Sequence, residues 1–175
     1  GVKDHAGVMR GGWVYAGRGI QMPRAGSEEG EYTLLAAGLT RAESDQLENL
    51  GQRLVVCFRE IQFVRKKLGL EEVDMQQILK RLRASQGLQK KMLSRVVRRL
   101  VEKIVHYQKA SRARDSLRAE LMRREGVEIR IEERLEAGVE VRLGAFWKRF
   151  DTGQNGLHWR QEQGVLVELS SQSDL

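Results

Sequence analysis

The sequence predicts an α+β protein in which strands from both ends of the chain form one β body, interrupted by a long, basic, antiparallel α-helical hairpin. Three observations predict this class. Short apolar runs punctuated by glycine occupy residues 1–40, and a proline-free stretch with a helical apolar period occupies residues 41–125. Period-two alternation then returns over residues 126–169. Residues 170–175 are rich in serine and are expected to form a disordered tail.

The first 40 residues indicate short strands joined by tight turns. Apolar runs at residues 13–15 and 32–35 are separated by glycine-containing turns and by Pro23. A few strands of this length do not form a stable sheet alone. They are therefore expected to pair with strands elsewhere in the chain.

The middle part begins with a helix predicted over residues 41–68. Thr40 and Glu43 have the spacing of a capping box at its start, and Gly69 ends it. Its apolar seam, at alternating spacings of three and four, consists of Leu47, Leu50, Leu54, Cys57, Ile61, Val64 and Leu68.

Two further helical segments complete the middle part. Residues 75–86 predict a short helix, and residues 88–124 predict a long one with a second seam. At about 1.5 Å rise per residue, the two long helices span roughly 42 and 55 Å, which suits two arms rooted in one β body. We therefore expect an antiparallel hairpin with the short helix at its tip. Pairing between two copies of the chain would satisfy the same seam.

The residues after the helices alternate with the period of a strand. Residues 127–132 and 139–143 place apolar residues at every second position, and residues 165–169 form a last apolar run. These segments are expected to pair with those of residues 1–40, which makes the helices an insertion in one β body.

The positive charge of the chain is concentrated in one segment. The chain of 175 residues has 31 Lys and Arg against 24 Asp and Glu, a net charge of +7. Residues 80–124 hold fifteen Lys and Arg against three acids, a local net of +12, which leaves −5 for the rest. This charge distribution, a basic helical segment attached to a mildly acidic body, indicates what kind of partner the chain binds and does not indicate its fold.

The basic helix is the first candidate binding surface. Its cations could neutralise phosphates on nucleic acid or on an anionic membrane surface, without sequence readout. The alternatives are a solvated helix face and a face that complements an acidic partner or the acidic body. The nine candidate anion-binding residues are Lys90, Lys91, Arg95, Arg98, Arg99, Lys103, Lys109, Arg112 and Arg114.

A weak calcium-loop pattern follows the helices. Counted from Asp151, Asn155 and Glu162 fall at loop positions 5 and 12, and Gly156 falls at position 6. Gly153 stands where the third position needs an oxygen ligand, and the following segment is strand-like. A β-turn is therefore the favoured interpretation, and no metal is expected.

No pattern typical of an enzyme or of a cofactor site is present. His5, His106 and His158 lack metal-ligand spacing, Cys57 occupies the seam as a small apolar residue, and no glycine-rich phosphate-binding motif occurs. No apolar run reaches the ~18 residues of a membrane span. A single cysteine cannot form an internal disulfide, which favours the cytoplasm. The sequence thus predicts a non-catalytic, cytoplasmic protein without a cofactor.

Three stretches resemble the C-terminal part of the flagellar assembly protein A family. Residues 7–16 read GVMRGGWVYA and are similar to the family's G-x-I-x-G-G-x-V-x-A. Residues 25–38 read AGSEEGEYTLLAAG and resemble iGS-x-x-G-x-x-T-x-l-x-v-G. A coiled-coil segment follows, as in the family, and residues 135–144 read LEAGVEVRLG, similar to the return strand y-x-G-V-x-V-x-I-G. The likeness covers most of residues 6–145.

The resemblance implies a right-handed β-helix (β-solenoid) from which the coiled coil projects. It also implies a cytoplasmic scaffold that acts through protein contacts in bacterial flagellar assembly or polar organisation, with no catalytic residue to carry over. The family's upstream rungs and N-terminal domain have no counterpart in this sequence. An open sheet edge is therefore expected, and with it self-association into a homo-oligomer.

Overall fold

The computed structural model describes residues 7–169, so the predicted disordered tail at 170–175 and His5 lie outside the described residues. The chain divides into two compact units, which we call the β unit (residues 1–45 and 116–175) and the helical unit (residues 46–115). The elements in chain order are β1 Val8–Met9, β2 Gly12–Ala16, β3 Gly19–Ala25, β4 Thr33–Ala37, α1 Arg41–Lys67, α2 Met75–Ala84, α3 Gly87–Met122, β5 Val127–Leu135, β6 Val139–Leu143, β7 Phe146–Phe150, β8 Gln154–Glu162 and β9 Val165–Glu168.

The strands of the β unit form two mixed sheets. One has the order β1-β3-β5-β8-β9 and the other the order β2-β4-β6-β7. The pairs β3–β5 and β4–β6 are parallel and join residues before the helices to residues after them, for example Gln21 to Arg130. Strands β7, β8 and β9 add antiparallel to the sheets.

The predicted β-helix is wrong, because neither sheet is closed and neither forms a solenoid. After β6 the chain reverses at Gly144, whose φ is +56°, and β7 returns antiparallel. After β8 it reverses again at Gln163 and Gly164, both with positive φ, the geometry of a two-residue hairpin turn. Hairpins therefore stand where a β-helix would add parallel rungs.

The predicted two-helix coiled-coil hairpin is also wrong, because a third helix shares the apolar core of α1 and α3. The long helix is α3, with 36 residues, and α2 contributes to the packing rather than only closing a tip. Ile78 of α2 lies in one buried cluster with Ile61 of α1 and Leu100 of α3. The three helices thus pack around one apolar core, to which α1, α2 and α3 each contribute buried side chains.

The helices themselves are confirmed, with ends within two residues of the predicted bounds. The predicted capping box is also confirmed. Thr40 N donates to Glu43 Oε2 at 2.8 Å, and Glu43 N donates to Thr40 Oγ1 at 3.3 Å. Asp74 caps α2 by accepting from the backbone N–H of Gln76 at 2.8 Å.

The core of the β unit contains side chains from both sheets. Ile129 and Trp159 come from the five-stranded sheet, and Leu35 and Val141 come from the four-stranded sheet. Phe150 at the end of β7 packs on Trp159 with ring centroids 5.9 Å apart. Period-two alternation produces this burial, since one face of each sheet turns towards the other.

Candidate functional site

Arg124, two residues beyond α3, binds the start of α1 within the β unit. Its Nη2 lies 2.6 Å from Glu43 Oε1, and its Nη1 donates to the carbonyl of Gly38 at 2.8 Å. The hydrogen bond from Arg124, helped by those from Thr40, lowers the pKa of Glu43 to about 2, from an ordinary value of 4.5. One ion pair therefore fixes the first turn of α1 to the residues that follow α3.

Acid is expected to weaken this ion pair. Because the folded pKa of Glu43 lies below its unfolded value of 4.5, its contribution is complete above that value and is lost as the pH falls towards 2. Both side chains are less than one-third exposed, so we expect a loss of about 2 kcal/mol in the free energy of unfolding. Urea unfolding at a series of pH values measures it.

Glu43→Gln should remove this acid-dependent component of stability. The matched control is Glu133→Gln, which removes an exposed carboxylate paired with Arg24 and should leave the pH dependence almost unchanged. An unaltered acid response in Glu43→Gln would contradict the assignment.

In the helical unit, α1 and α3 run in opposite directions. Leu50 and Leu54 near the start of α1 pack on Ala110 of α3, whereas Val64 near the end of α1 clusters with Val97. The antiparallel packing therefore determines on which side of the helical unit the surface side chains of α1 and α3 lie.

One ion-pair cluster marks one side of the helical unit. Glu60 of α1 lies 2.5 Å from Lys103 and 3.9 Å from Arg99, both on α3. The hydrogen bond from Lys103 lowers the pKa of Glu60 below its ordinary value. The carboxylate therefore neutralises part of the basic helix and joins the two helices.

The nine predicted anion-binding residues all lie on α3, but some already have acidic partners. Besides Lys103 and Arg99 at Glu60, Arg114 lies 3.4 Å from Asp115. Lys109 and Arg112 are exposed. The predicted set is thus not one uniform surface.

Four of the nine form a continuous cationic stripe without an ion pair among residues 7–169. They are exposed and line, with Ser94, one open depression of 430 Å³ on α3: Lys90, Lys91, Arg95 and Arg98. The spacing of Lys91, Arg95 and Arg98 (i, i+4, i+7) puts them on one face of the helix. Because no acid neutralises them, they are the part of the predicted site best suited to an anion.

The structure does not bring the calcium-loop residues together. Asp151 lies in the bend between β7 and β8, whereas Asn155 and Glu162 are at opposite ends of β8. Asn155 and Glu162 are seven positions apart along the strand, a distance of about 23 Å. Asn155 Oδ1 instead accepts a hydrogen bond from Arg134 at 3.2 Å. The calcium interpretation is therefore wrong.

Cys57 and His106 become neighbours in a way that their spacing in the sequence did not indicate. Together with Arg53 and Lys109 they line a second depression of 430 Å³ in the helical unit.

His158, in the β unit, has its Nε2 3.5 Å from Glu128 Oε2. Within residues 7–169, no group of three or more His, Cys, Asp or Glu side chains could hold a metal ion.

The sequence analysis missed the apolar side chains that lie outside the helix seams. Eight of them are exposed on α1 and α3: Val55, Val56, Phe58, Phe63, Leu88, Met92, Val101 and Val105. The signal was present, because each of these residues is apolar at a position that the heptad pattern assigns to solvent.

Within the part of the chain that the structure covers, no helix is long and apolar enough to cross a membrane. Comparison with protein-family models, with curated proteins and with solved structures gives no match for this chain.

Proposed function

We propose that the chain is a non-catalytic interaction protein whose helical unit provides the surface for a protein partner. Ten of the fifteen large apolar side chains that are exposed among residues 7–169 belong to the helical unit, which is less than half of those residues. Exposed apolar clusters on folded domains commonly mark interaction sites. This concentration is the observation that carries the proposal.

Four of these side chains form what we call the apolar patch: Val55, Phe58, Val101 and Val105. Two residues along a helix correspond to a rotation of about 200°. Phe58 therefore lies on the opposite side of α1 from Glu60, and Val101 and Val105 lie on the opposite side of α3 from Lys103. Since Glu60 and Lys103 face one side of the unit, the apolar patch occupies the other side.

The antiparallel register makes the patch continuous across both helices. Phe58 is two residues before Glu60 on α1, and Val105 is two residues after Lys103 on α3, so the two lie at the same level. Phe58 is 52% and Val105 53% exposed, which leaves half of each side chain for a partner to cover. A central aromatic residue surrounded by aliphatic side chains is typical of the core of a protein–protein interface.

The proposal is tested by capture of the partner on the immobilised full chain at high salt. Phe58→Gln should lose a stoichiometric partner that the parent chain retains, because apolar contacts survive salt. The matched control is Trp147→Gln, which removes a side chain 69% exposed on β7 and should keep the partner. Folding is checked by circular dichroism.

Two results would overturn the protein-partner proposal. One is a partner lost by Trp147→Gln and retained by Phe58→Gln. The other is a captured set that is the same for the parent chain and both variants.

A cytoplasmic role in bacterial flagellar assembly or polar organisation is the finer part of the proposal, and the sequence resemblance alone supports it. Cytoplasmic location is further supported by Cys57, the chain's one cysteine, which cannot form an internal disulfide. Flagellar or chemotaxis genes beside the coding sequence would support this role, and a neighbourhood devoted to another process would argue against it.

A further inference from the structure

We propose that the helical unit also binds the surface of an anionic lipid bilayer, through the first three turns of α3. This inference concerns different side chains from those of the apolar patch and does not depend on the protein partner.

The charge of this region is of one sign. Between Asp74 and Glu102 the sequence holds eight Lys and Arg and no acid. The stripe of Lys90, Lys91, Arg95 and Arg98 belongs to this stretch. Positive charge on an exposed helix attracts anionic headgroups over about one Debye length.

Large apolar side chains project between these cations. Leu88 is 74% exposed and Met92 is 61% exposed, although both are in the first two turns of a helix with a buried face elsewhere. A sector of α3 about 100° wide, which we call the cationic face, contains Leu88, Lys91, Met92 and Arg95. Neither of its apolar side chains belongs to the buried clusters of the helical unit.

An ion pair between α3 and α1 shows which residues of α1 lie beside the cationic face. Arg99, one turn beyond Arg95, lies 3.9 Å from Glu60, so one edge of the face borders the Glu60 side of the unit. Phe63 of α1, one turn beyond Glu60, is also exposed on this side, with Lys67 Nζ 4.5 Å from its ring centroid. Apolar residues beside cations thus occur on both helices.

This combination favours a bilayer surface over the other anionic partners. Apolar side chains flanked by Lys and Arg are the pattern of helices that lie in a membrane interface, where the former enter the acyl boundary and the latter contact headgroups. Nucleic acid would use the cations and leave Leu88 and Met92 in water. A second copy of the chain would bring like charges together.

The test is co-sedimentation of the full chain with phosphatidylcholine vesicles that contain about 30 mol% phosphatidylserine, against vesicles of phosphatidylcholine alone. We expect binding to the anionic vesicles only, weakened by added salt. Lys91→Gln/Arg95→Gln should reduce the affinity about 25-fold, since each cation near the surface contributes about fivefold. Leu88→Gln/Met92→Gln should reduce it about tenfold or more.

The matched control is Lys148→Gln/Arg149→Gln, which removes two exposed cations of β7 in the β unit and should leave vesicle binding unchanged. Equal binding to both vesicle types, or full binding by Leu88→Gln/Met92→Gln, would overturn the inference. A duplex DNA probe that binds more tightly than the vesicles, with no loss in Leu88→Gln/Met92→Gln, would assign the face to nucleic acid instead. If the parent chain bound neither type of vesicle but still captured its protein partner, this inference alone would be refuted.

Discussion

Replacing Gln161 with leucine is expected to lower the free energy of unfolding by about 3 kcal/mol. Gln161 on β8 is 2% exposed, and its Nε2 donates to the carbonyls of Leu121 at 2.9 Å, Met122 at 3.2 Å and Arg124 at 2.7 Å. Leu121 and Met122 are in the last turn of α3, where carbonyls lack the N–H partners of the helix interior, and Arg124 follows two residues beyond the helix. Leucine fills a similar volume but leaves these carbonyls without this donor.

Urea unfolding measures the loss, and hydrogen exchange should show that amides near Met122 open first. The control is Gln154→Leu on the same strand, where the side chain donates to the single carbonyl of Gly156 at 3.0 Å and is half-buried. We expect that variant to lose about 1 kcal/mol or less. Equal losses for the two glutamines would show that Gln161 does not hold the end of α3.

Replacing Gly38 with alanine is expected to cost about 3–4 kcal/mol. Gly38 has a φ of +73°, and a Cβ there would lie 2.5 Å from Val127 Cγ1 and 2.9 Å from Val127 Cγ2. Val127 is 1% exposed at the start of β5 and has no room to move away. The substitution therefore adds a steric clash to the strain of a left-handed backbone.

Gly126→Ala separates these two contributions. Gly126 has nearly the same φ, +66°, but a Cβ there meets nothing within 4 Å. Only the backbone strain remains, about 1 kcal/mol. Thermal or urea unfolding of both variants measures the difference. A loss for Gly38→Ala no larger than that for Gly126→Ala would contradict the close approach of the Gly38 turn to β5.

The sequence predicted the three helices and the strands β5 and β6 because their signals are local, whereas β3, which contains Pro23, and β7 and β8 were not predicted. The capping pair Thr40 and Glu43 and the terminator Gly69 mark the ends of α1 within a few residues of chain, and the seam marks its buried face. The same holds for β5 and β6, where alternation reports one buried face.

The arrangement of the elements could not be predicted in the same way. Alternation is the same for a strand that pairs in parallel and for one that returns in a hairpin, so it did not reveal the chain reversals at Gly144 and Gly164. A heptad seam shows which face of a helix is buried but not how many helices pack against it. The packing of Ile78 of α2 into the core of α1 and α3 was therefore missed. In both cases the error concerned partners distant in the chain.

The candidate sites show the same division. The basic segment was evident from composition, but which cations remain unpaired depends on Glu60, which lies on another helix. Gln161 looks like an exposed strand residue in the sequence, and only the fold reveals that it is buried against the end of α3. The apolar patch was overlooked because apolar residues were assigned to seams alone.

The central claim is that the binding surfaces of this protein lie on the helical unit, and hydroxyl-radical footprinting tests it most directly. The full chain would be oxidised free, bound to anionic vesicles, and bound to its captured partner. We predict protection of Met92 by the vesicles and of Phe58 by the partner, with oxidation of the exposed Trp147 unchanged in both. Protection of Trp147, with Met92 and Phe58 oxidised as in the free chain, would contradict the claim.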